Sequence, residues 1–403
     1  MDKRHGVKTD YDKPKIIGKN IKKFIFSVII VFIFLFISIP MPITVYMHNR
    51  TFGQRAESPQ YRAFLTYNDV EGYERRAVNF PSGKNMLAGY IYGEENDKGL
   101  VVISHSFGDG EEGYFNVIMY FVAQGWRVFT YDKTGSHNSE GKGTIGLTQP
   151  VLDLDAALKF IEEQQWELPI MLLGHSMGGF ASTAVLNFEH EINAVVSLAG
   201  YNKPMRVLLD TGRQMSGGMV NLTRPYMWVY QRLIFGRSAG LTAVDGINKS
   251  NVPVMIIHGT QDGLILYDSA ATINSKDQIT NPNVQFITHD APYHNKHMNL
   301  LTSSQATEYI NELNETFIEI YNLYISEKYE ACPFVSIHFH QVHMLTNRNL
   351  KRCFCTKTYS VYIPDDVLSD FYAGIDKERT SALNITLMDE INTFFEKSIK
   401  PKD

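Results

Sequence analysis

"MLLGHSMGGF" at residues 171–180 places one serine among glycines, directly after a short apolar run. Pro169–Leu173 reads as a buried strand and Phe180–Leu186 as the start of a helix. The turn between them has very few residues in which to change direction. A side chain held there is forced into a strained backbone conformation, and its neighbours must be tiny, which suits Gly174 and Gly178. The gain is a serine hydroxyl exposed at the carboxyl edge of a sheet. The N-terminal N–H groups of the following helix are directed at the same point. Gly174-His175-Ser176-Met177-Gly178 is therefore a candidate nucleophile turn.

Outward from this turn, short β-rich runs alternate with helical patterns between residues 71 and 300. The strand candidates are 74–80, 86–92, 100–105, 126–131, 169–174, 193–198, 252–258 and 284–289. Several are nearly continuous apolar runs, as in parallel strands covered on both faces. Segments 114–123, 149–164 and 178–189 have helical length and spacing; Leu154, Ala157, Leu158 and Ile161 recur at helical intervals. This alternation predicts an α/β fold with an eight-stranded, mostly parallel sheet flanked by helices.

Four stretches extend the pattern: "GHSMGG" after "IMLL", "HSFGDG" after "LVVIS", "YDKTGSHNSEG" after "WRVFT", and "HGTQD" after "VPVMII". In residues and order they resemble the α/β-hydrolase superfamily over about 74–300. That resemblance implies a Ser–acid–His triad in this chain order, in which the histidine takes the serine proton and the acid orients the imidazole. It places Ser176 as nucleophile and Asp262 as acid. Asp268 lies further along, and Asp132 precedes the serine and reads as a structural or pocket residue. For the base, "APYHNKH" matches at His294, with His297 and His289 as rivals; Tyr293 stands where the superfamily carries glycine. The oxyanion donors implied are the backbone N–H groups of Met177 and Phe107, with Ser106 departing from the usual His-Gly pair. His105 reads as a turn-stabilising residue, and His175 and His258 are assigned no chemistry. The chemistry needs no cofactor and no metal.

Residues 201–250 fall where the superfamily inserts a cap. Met227, Trp228, Tyr230 and Phe235 are candidate walls of an apolar acyl pocket, or else the cap's own packing residues. Residues 301–403 read as a C-terminal helical extension packed on the core. Within it, Cys332, Cys353 and Cys355 lie near His338, His340 and His343, but the spacing matches no established zinc site. Three cysteines are too few for a disulfide scaffold.

The formal net charge is −5, yet residues 1–23 carry eight Lys/Arg and three Asp, which leaves the remainder near −10. An acidic body argues against nucleic acid as a partner. Residues 24–47 contain no charged side chain, and "FIFSVIIVFIFLFISIP" approaches the length of a membrane span. With the basic tail on the cytoplasmic side, the expectation is a single-pass anchor at 24–47, a linker at 48–70, and a core outside the cytoplasm at 71–300. A cleaved signal is the competing reading. Five N-x-S/T triplets, at Asn49, Asn221, Asn248, Asn314 and Asn384, fall on the expected outer side.

The sequence thus predicts a membrane-anchored serine hydrolase acting on a small-molecule or lipid-like carboxylic ester. A peptidase or amidase with the same triad, and a binding protein that kept the fold, are the alternatives.

Overall fold

The computed structural model describes residues 15–324 and 364–399. Its centre is one eight-stranded sheet: β1 (Arg75–Ser82), β2 (Asn85–Tyr92), β3 (Leu100–Ser104), β4 (Arg127–Tyr131), β5 (Ile170–His175), β6 (Ala194–Leu198), β7 (Val254–Gly259) and β8 (Val284–His289). The spatial order is β1-β2-β4-β3-β5-β6-β7-β8. β1 and β2 pair antiparallel, β2 pairs antiparallel with β4, and every pairing from β4 to β8 is parallel. This arrangement fits the α/β-hydrolase fold, and each strand lies within two residues of its sequence-based range.

The sheet is buried on both faces, and its central strands are apolar at most positions. Leu100, Val102, Leu172, Val195, Val254 and Ile256 point to one side and pack with α4 (Gln149–Glu163), α5 (Met177–Ala184) and α8 (Ala243–Lys249). Val101, Ile103, Met171, Leu173, Val196, Met255 and Ile257 point to the other. This strict alternation is the period-two pleat read across neighbouring strands. The second face is covered by α3 (Phe115–Ala123) and by α12 (Ile385–Lys397) near the end of the chain. Trp126, fully buried, donates its indole N–H to Asn392 Oδ1 at 2.7 Å, and its ring meets Phe395 edge-on. The tail is therefore part of the core.

Between β6 and β7 the cap is built from α6 (Pro204–Ser216), α7 (Arg224–Phe235) and α8, with short 3-10 turns between them. Proline stands in the first turn of α6 and α7, where its missing N–H has no intrahelical role. After β8 come α9 (Ser304–Tyr324), α10 (Asp365–Ala373) and α11 (Lys377–Thr380), which gather Phe317, Leu368, Tyr372 and Ile375 around Ala63. The Cys/His-rich stretch at 332–355 lies outside the described residues.

The N-terminal part departs from expectation. α1 (Lys15–Ser38) ends before Pro40, and a second helix, α2 (Pro40–Phe52), begins there. The charge-free part of α1, residues 24–38, is about 22 Å long at 1.5 Å per residue, short of a ~30 Å hydrocarbon core. Among the described residues no helix is long and apolar enough to cross a membrane. Nor is 48–70 a free linker. α2 packs on α7 through the His48 and Tyr230 rings, and Tyr230 donates its hydroxyl to Asn49 Oδ1 at 3.0 Å. Further on, Leu65 N–H donates to Ser381 Oγ at 2.8 Å. These polar anchors hold a stretch whose composition alone reads as loose.

Candidate functional site

β5 ends at His175 and α5 begins at Met177, so Ser176 alone makes the turn. Its φ of 58° and ψ of −114° lie where non-glycine residues are rarely found. Two hydrogen bonds hold it there: Ser176 N–H donates to Leu198 O at 2.7 Å, and Ser176 O accepts from Phe180 N–H at 3.1 Å. The glycines are required by close backbone approach. A Cβ at Gly174 would lie 2.1 Å from Gly178 O, and one at Gly178 would lie 1.8 Å from Ser104 O. The tight turn is thus written into the two glycines of the motif.

The histidine that reaches Ser176 is His297, not His294. His297 Nε2 lies 2.8 Å from Ser176 Oγ, and His297 Nδ1 lies 2.7 Å from Asp262 Oδ2. Since the carboxylate can only accept, Nδ1 carries the proton and Nε2 is the acceptor for the serine hydroxyl. His294 instead sets its Nε2 2.9 Å from Ser304 Oγ at the start of α9. Asn384 Nδ2 approaches its other ring nitrogen at 3.4 Å. The physical reason is that no helix begins after His294. Residues 291–300 form turns and bends, so His297 stays in a loop that reaches back to β5. Tyr293 does adopt the left-handed φ of 70° that its glycine-like position implies. His289 ends β8, with none of its described contacts to Ser176.

Asp262 sits just past β7. Its Oδ1 accepts from Leu264 N–H at 2.9 Å and Ile265 N–H at 2.8 Å. His258 Nε2 lies 3.1 Å from Oδ2 and 2.9 Å from Ile265 O, so it carries a proton. Burial works against the Asp262 charge, but hydrogen bonds from His258 and His297 outweigh it and hold the carboxyl well below the usual range. Asp268 does not share these contacts.

Two histidines that the sequence left without a role support this chain. His175 Nε2 donates to the backbone carbonyl of His297 at 2.9 Å, which leaves its Nδ1 to accept from Tyr114 OH at 2.7 Å. The His175 and His297 rings lie 5.1 Å apart. His258 braces Asp262 from behind. Their positions inside the "GHS" and "HGTQD" motifs were the available signal, and it is a weak one, because histidine beside a motif is common in ordinary cores.

Met177 and Phe107, the two expected oxyanion donors, lie at the start of α5 and just after β3. Met177 is the first residue of α5, where its N–H falls outside the intrahelical ladder. Phe107 lies in the turn after β3. Lys133 N–H donates to His105 Nε2 at 3.1 Å, so His105 Nδ1–H donates to Ser106 O at 2.7 Å. A trans peptide points its carbonyl and N–H in opposite directions. Drawing Ser106 O toward His105 therefore turns Phe107 N–H away from that ring. The Lys133 ammonium also donates to His105 O. Burial pulls Lys133 down to about 7, against the charges of Asp153, Asp109 and Asp132. Asp132 itself binds Glu111 N–H and Asn138 N–H, a structural use.

The candidate pocket walls all lie in α7. Trp228 is 55% exposed, Tyr230 is tied to α2, and Phe235 is buried against Gly146. Met227 takes a contact from the Thr223 hydroxyl at 3.1 Å. Met227, Tyr230 and Phe235 thus pack within the cap and at its junction with α2, while Trp228 is largely exposed. A cleft lined by Ala63, Tyr114, His175, Met298 and Tyr372 does not include Ser176. Among the described residues no cluster suited to a metal ion occurs.

Comparison with known proteins adds the following. Residues 95–233 match the family described as serine aminopeptidase, S33. No curated protein matches the chain. Among solved structures, a Pyrococcus furiosus esterase is similar at 20% identity and a TM-score of 0.46, covering 65% of this chain and 97% of its own. Est1E of Butyrivibrio proteoclasticus, solved with ferulic acid, is similar at 18% identity and a TM-score of 0.42, covering 60% and 98%. An acylaminoacyl peptidase of Pyrococcus horikoshii is similar at 14% identity and a TM-score of 0.43, covering 66% of this chain and 44% of its own.

Proposed function

We propose that the chain is a serine hydrolase that cleaves carboxylic esters through an acyl-Ser176 intermediate. The observation that carries this reading is the unbroken sequence of contacts from Ser176 Oγ through His297 to Asp262. A serine hydroxyl is a poor nucleophile until a base removes its proton. His297 Nε2 is placed to take it, and the imidazolium that results is stabilised by the ionised Asp262. As Ser176 Oγ bonds to the ester carbonyl carbon, negative charge develops on the carbonyl oxygen, where Met177 and Phe107 N–H groups are the donors. His297 then returns the proton to the departing alcohol as the C–O bond breaks. A water activated by the same imidazole releases the acid and restores the serine.

The match to a serine aminopeptidase family over 95–233 supports a second reading, amide cleavage by the same groups. A chain-length series of p-nitrophenyl esters, assayed beside aminoacyl p-nitroanilides, separates the two. We expect turnover of the esters, lost by about 10⁶-fold in Ser176→Ala. Faster turnover of the anilides would transfer the assignment to a peptidase.

We further propose that α1 attaches the protein to a membrane, with the basic segment 1–23 on the cytoplasmic side and the body outside. Supporting this are the charge-free run at 24–47 and the open setting of its side chains: Phe24, Phe26, Phe32 and Phe34 are each more than 60% exposed. Lys22 and Lys23 follow directly on its apolar part toward the N-terminus and can reach headgroups along their aliphatic stems.

A further inference from the structure

We infer that α2 and the outer face of the cap form one surface that rests on a lipid bilayer bearing anionic headgroups, so that the ester presented to Ser176 is a long-chain lipid of that bilayer. The substrate half of this inference rests on the ester-hydrolase reading; the docking half does not.

The first observation is an apolar stripe facing outward. On α2 and the residue before it, Ile39, Ile43, Tyr46 and Met47 are 54%, 53%, 56% and 37% exposed. Their spacing of i, i+4, i+7 and i+8 puts them on one helical face. A helix on a globular surface ordinarily turns such a face inward. Here the inward contacts to the body come from Thr44, His48 and Phe52, at intervals of four.

The second observation is on the cap. Trp228 and Leu233 of α7 are 55% and 71% exposed, and Met219 and Leu222 in the preceding turn are 70% and 72% exposed. α2 and α7 are packed together, so the two sets belong to one rigid assembly. Isolated exposed apolar residues need no explanation, but eight of them on two packed helices and the adjoining turn are more than scattered exposure accounts for.

The third observation is charge, and it selects the occupant. Residues 201–250 contain seven Lys/Arg and two Asp, an excess of five positive charges in a chain whose net charge is −5. Both Asp210 carboxylate partners, Arg206 and Arg213, lie on α6. Arg224, Arg232 and Arg237 on and just beyond α7 are exposed, and the Arg232 guanidinium lies over the Trp228 ring at 5.7 Å. Exposed Trp and Leu interleaved with arginine is the chemistry of a surface that sinks into the headgroup region of an anionic membrane. The stripe also continues directly from α1, which fixes its distance from any membrane that α1 enters.

The same assembly touches the site. Phe52 at the end of α2 packs edge-on against Phe107, whose N–H is the expected oxyanion donor, with ring centroids 5.8 Å apart. Gln214 of α6 donates to Gly263 O at 3.3 Å, next to Asp262. A lipid leaving the bilayer along α2 or α6 therefore arrives beside the reacting groups.

The test uses the full chain reconstituted into phosphatidylcholine/phosphatidylglycerol vesicles whose acyl chains are brominated. Of the three tryptophans, Trp126 is fully buried and Trp166 is half-buried under Arg127 in the loop before β5, so Trp228, 55% exposed on the cap, is the residue placed to report lipid contact there. We expect brominated vesicles to quench tryptophan emission, and Trp228→Phe to lose most of that quenching. In parallel, Leu222→Glu/Leu233→Glu should lower hydrolysis of a vesicle-borne long-chain ester at least tenfold and leave p-nitrophenyl butyrate hydrolysis unchanged. Equal emission in brominated and plain vesicles overturns the docking surface, as does burial of Trp228 by a second copy in detergent without lipid quenching. Unchanged vesicle hydrolysis by the double variant overturns the lipid route. Failure of wild type to cleave p-nitrophenyl butyrate defeats the ester reading and the lipid substrate, while the quenching still decides the docking.

Discussion

His294 and His297 stand three residues apart, and the second faces Ser176 while the first faces Ser304. The motif around "APYHNKH" was legible, including the strained position of Tyr293, but which histidine turns inward depends on a loop path that no local pattern encodes. Ser176 and Asp262 were legible because each follows an apolar strand directly, where the sheet itself sets the direction. The glycines carry the sharpest residue-scale prediction. Gly178→Ala forces a methyl against the Ser104 carbonyl, and we expect a loss of at least about 1–3 kcal/mol in chemical denaturation, the range for overpacking a tight core. Glu111 offers a second. Burial raises its carboxyl to about 7 despite hydrogen bonds from Tyr92 and Arg75. A raised acid binds more protons folded than unfolded, so its contribution to stability is complete below about 4.5 and is lost as pH rises through about 7. Glu111→Gln should flatten the stability profile across that window, measured as denaturation midpoint against pH; an unaltered slope would place the titration elsewhere.

At the scale of elements, the strands were readable because buried parallel strands are short, apolar and bounded by polar turns. α2 was not, because its apolar stripe and its two prolines look like the frayed end of α1. The contribution of α12 was only half visible. Its helical period was plain, but that Phe395 would meet Trp126 across the sheet required the tertiary structure. Phe395→Ala removes a fully buried ring beside Phe121 and Trp126 and should cost about 3–5 kcal/mol, read from denaturant midpoints. A cost below 1 kcal/mol would mean that α12 is not part of the cooperative core. The turn after β3 depends on a contact of the same kind, since the segment after β4 supplies Lys133 to hold it through His105.

For the whole molecule, one sheet gathers Ser176, Asp262 and His297 from the carboxyl ends of β5, β7 and β8. α2 and the cap lie beside them, through Phe52 against Phe107 and Gln214 on Gly263. In the proposed chemistry His297 is the base for Ser176, and Asp262 fixes its tautomer. Labelling with a fluorophosphonate probe reads this arrangement most directly, because phosphonylation needs an activated serine and no knowledge of the natural substrate. We expect the wild-type chain and His294→Ala to be labelled, and Ser176→Ala and His297→Ala to remain unlabelled while folded. Labelling that survives in His297→Ala and vanishes in His294→Ala would contradict the proposed chemistry.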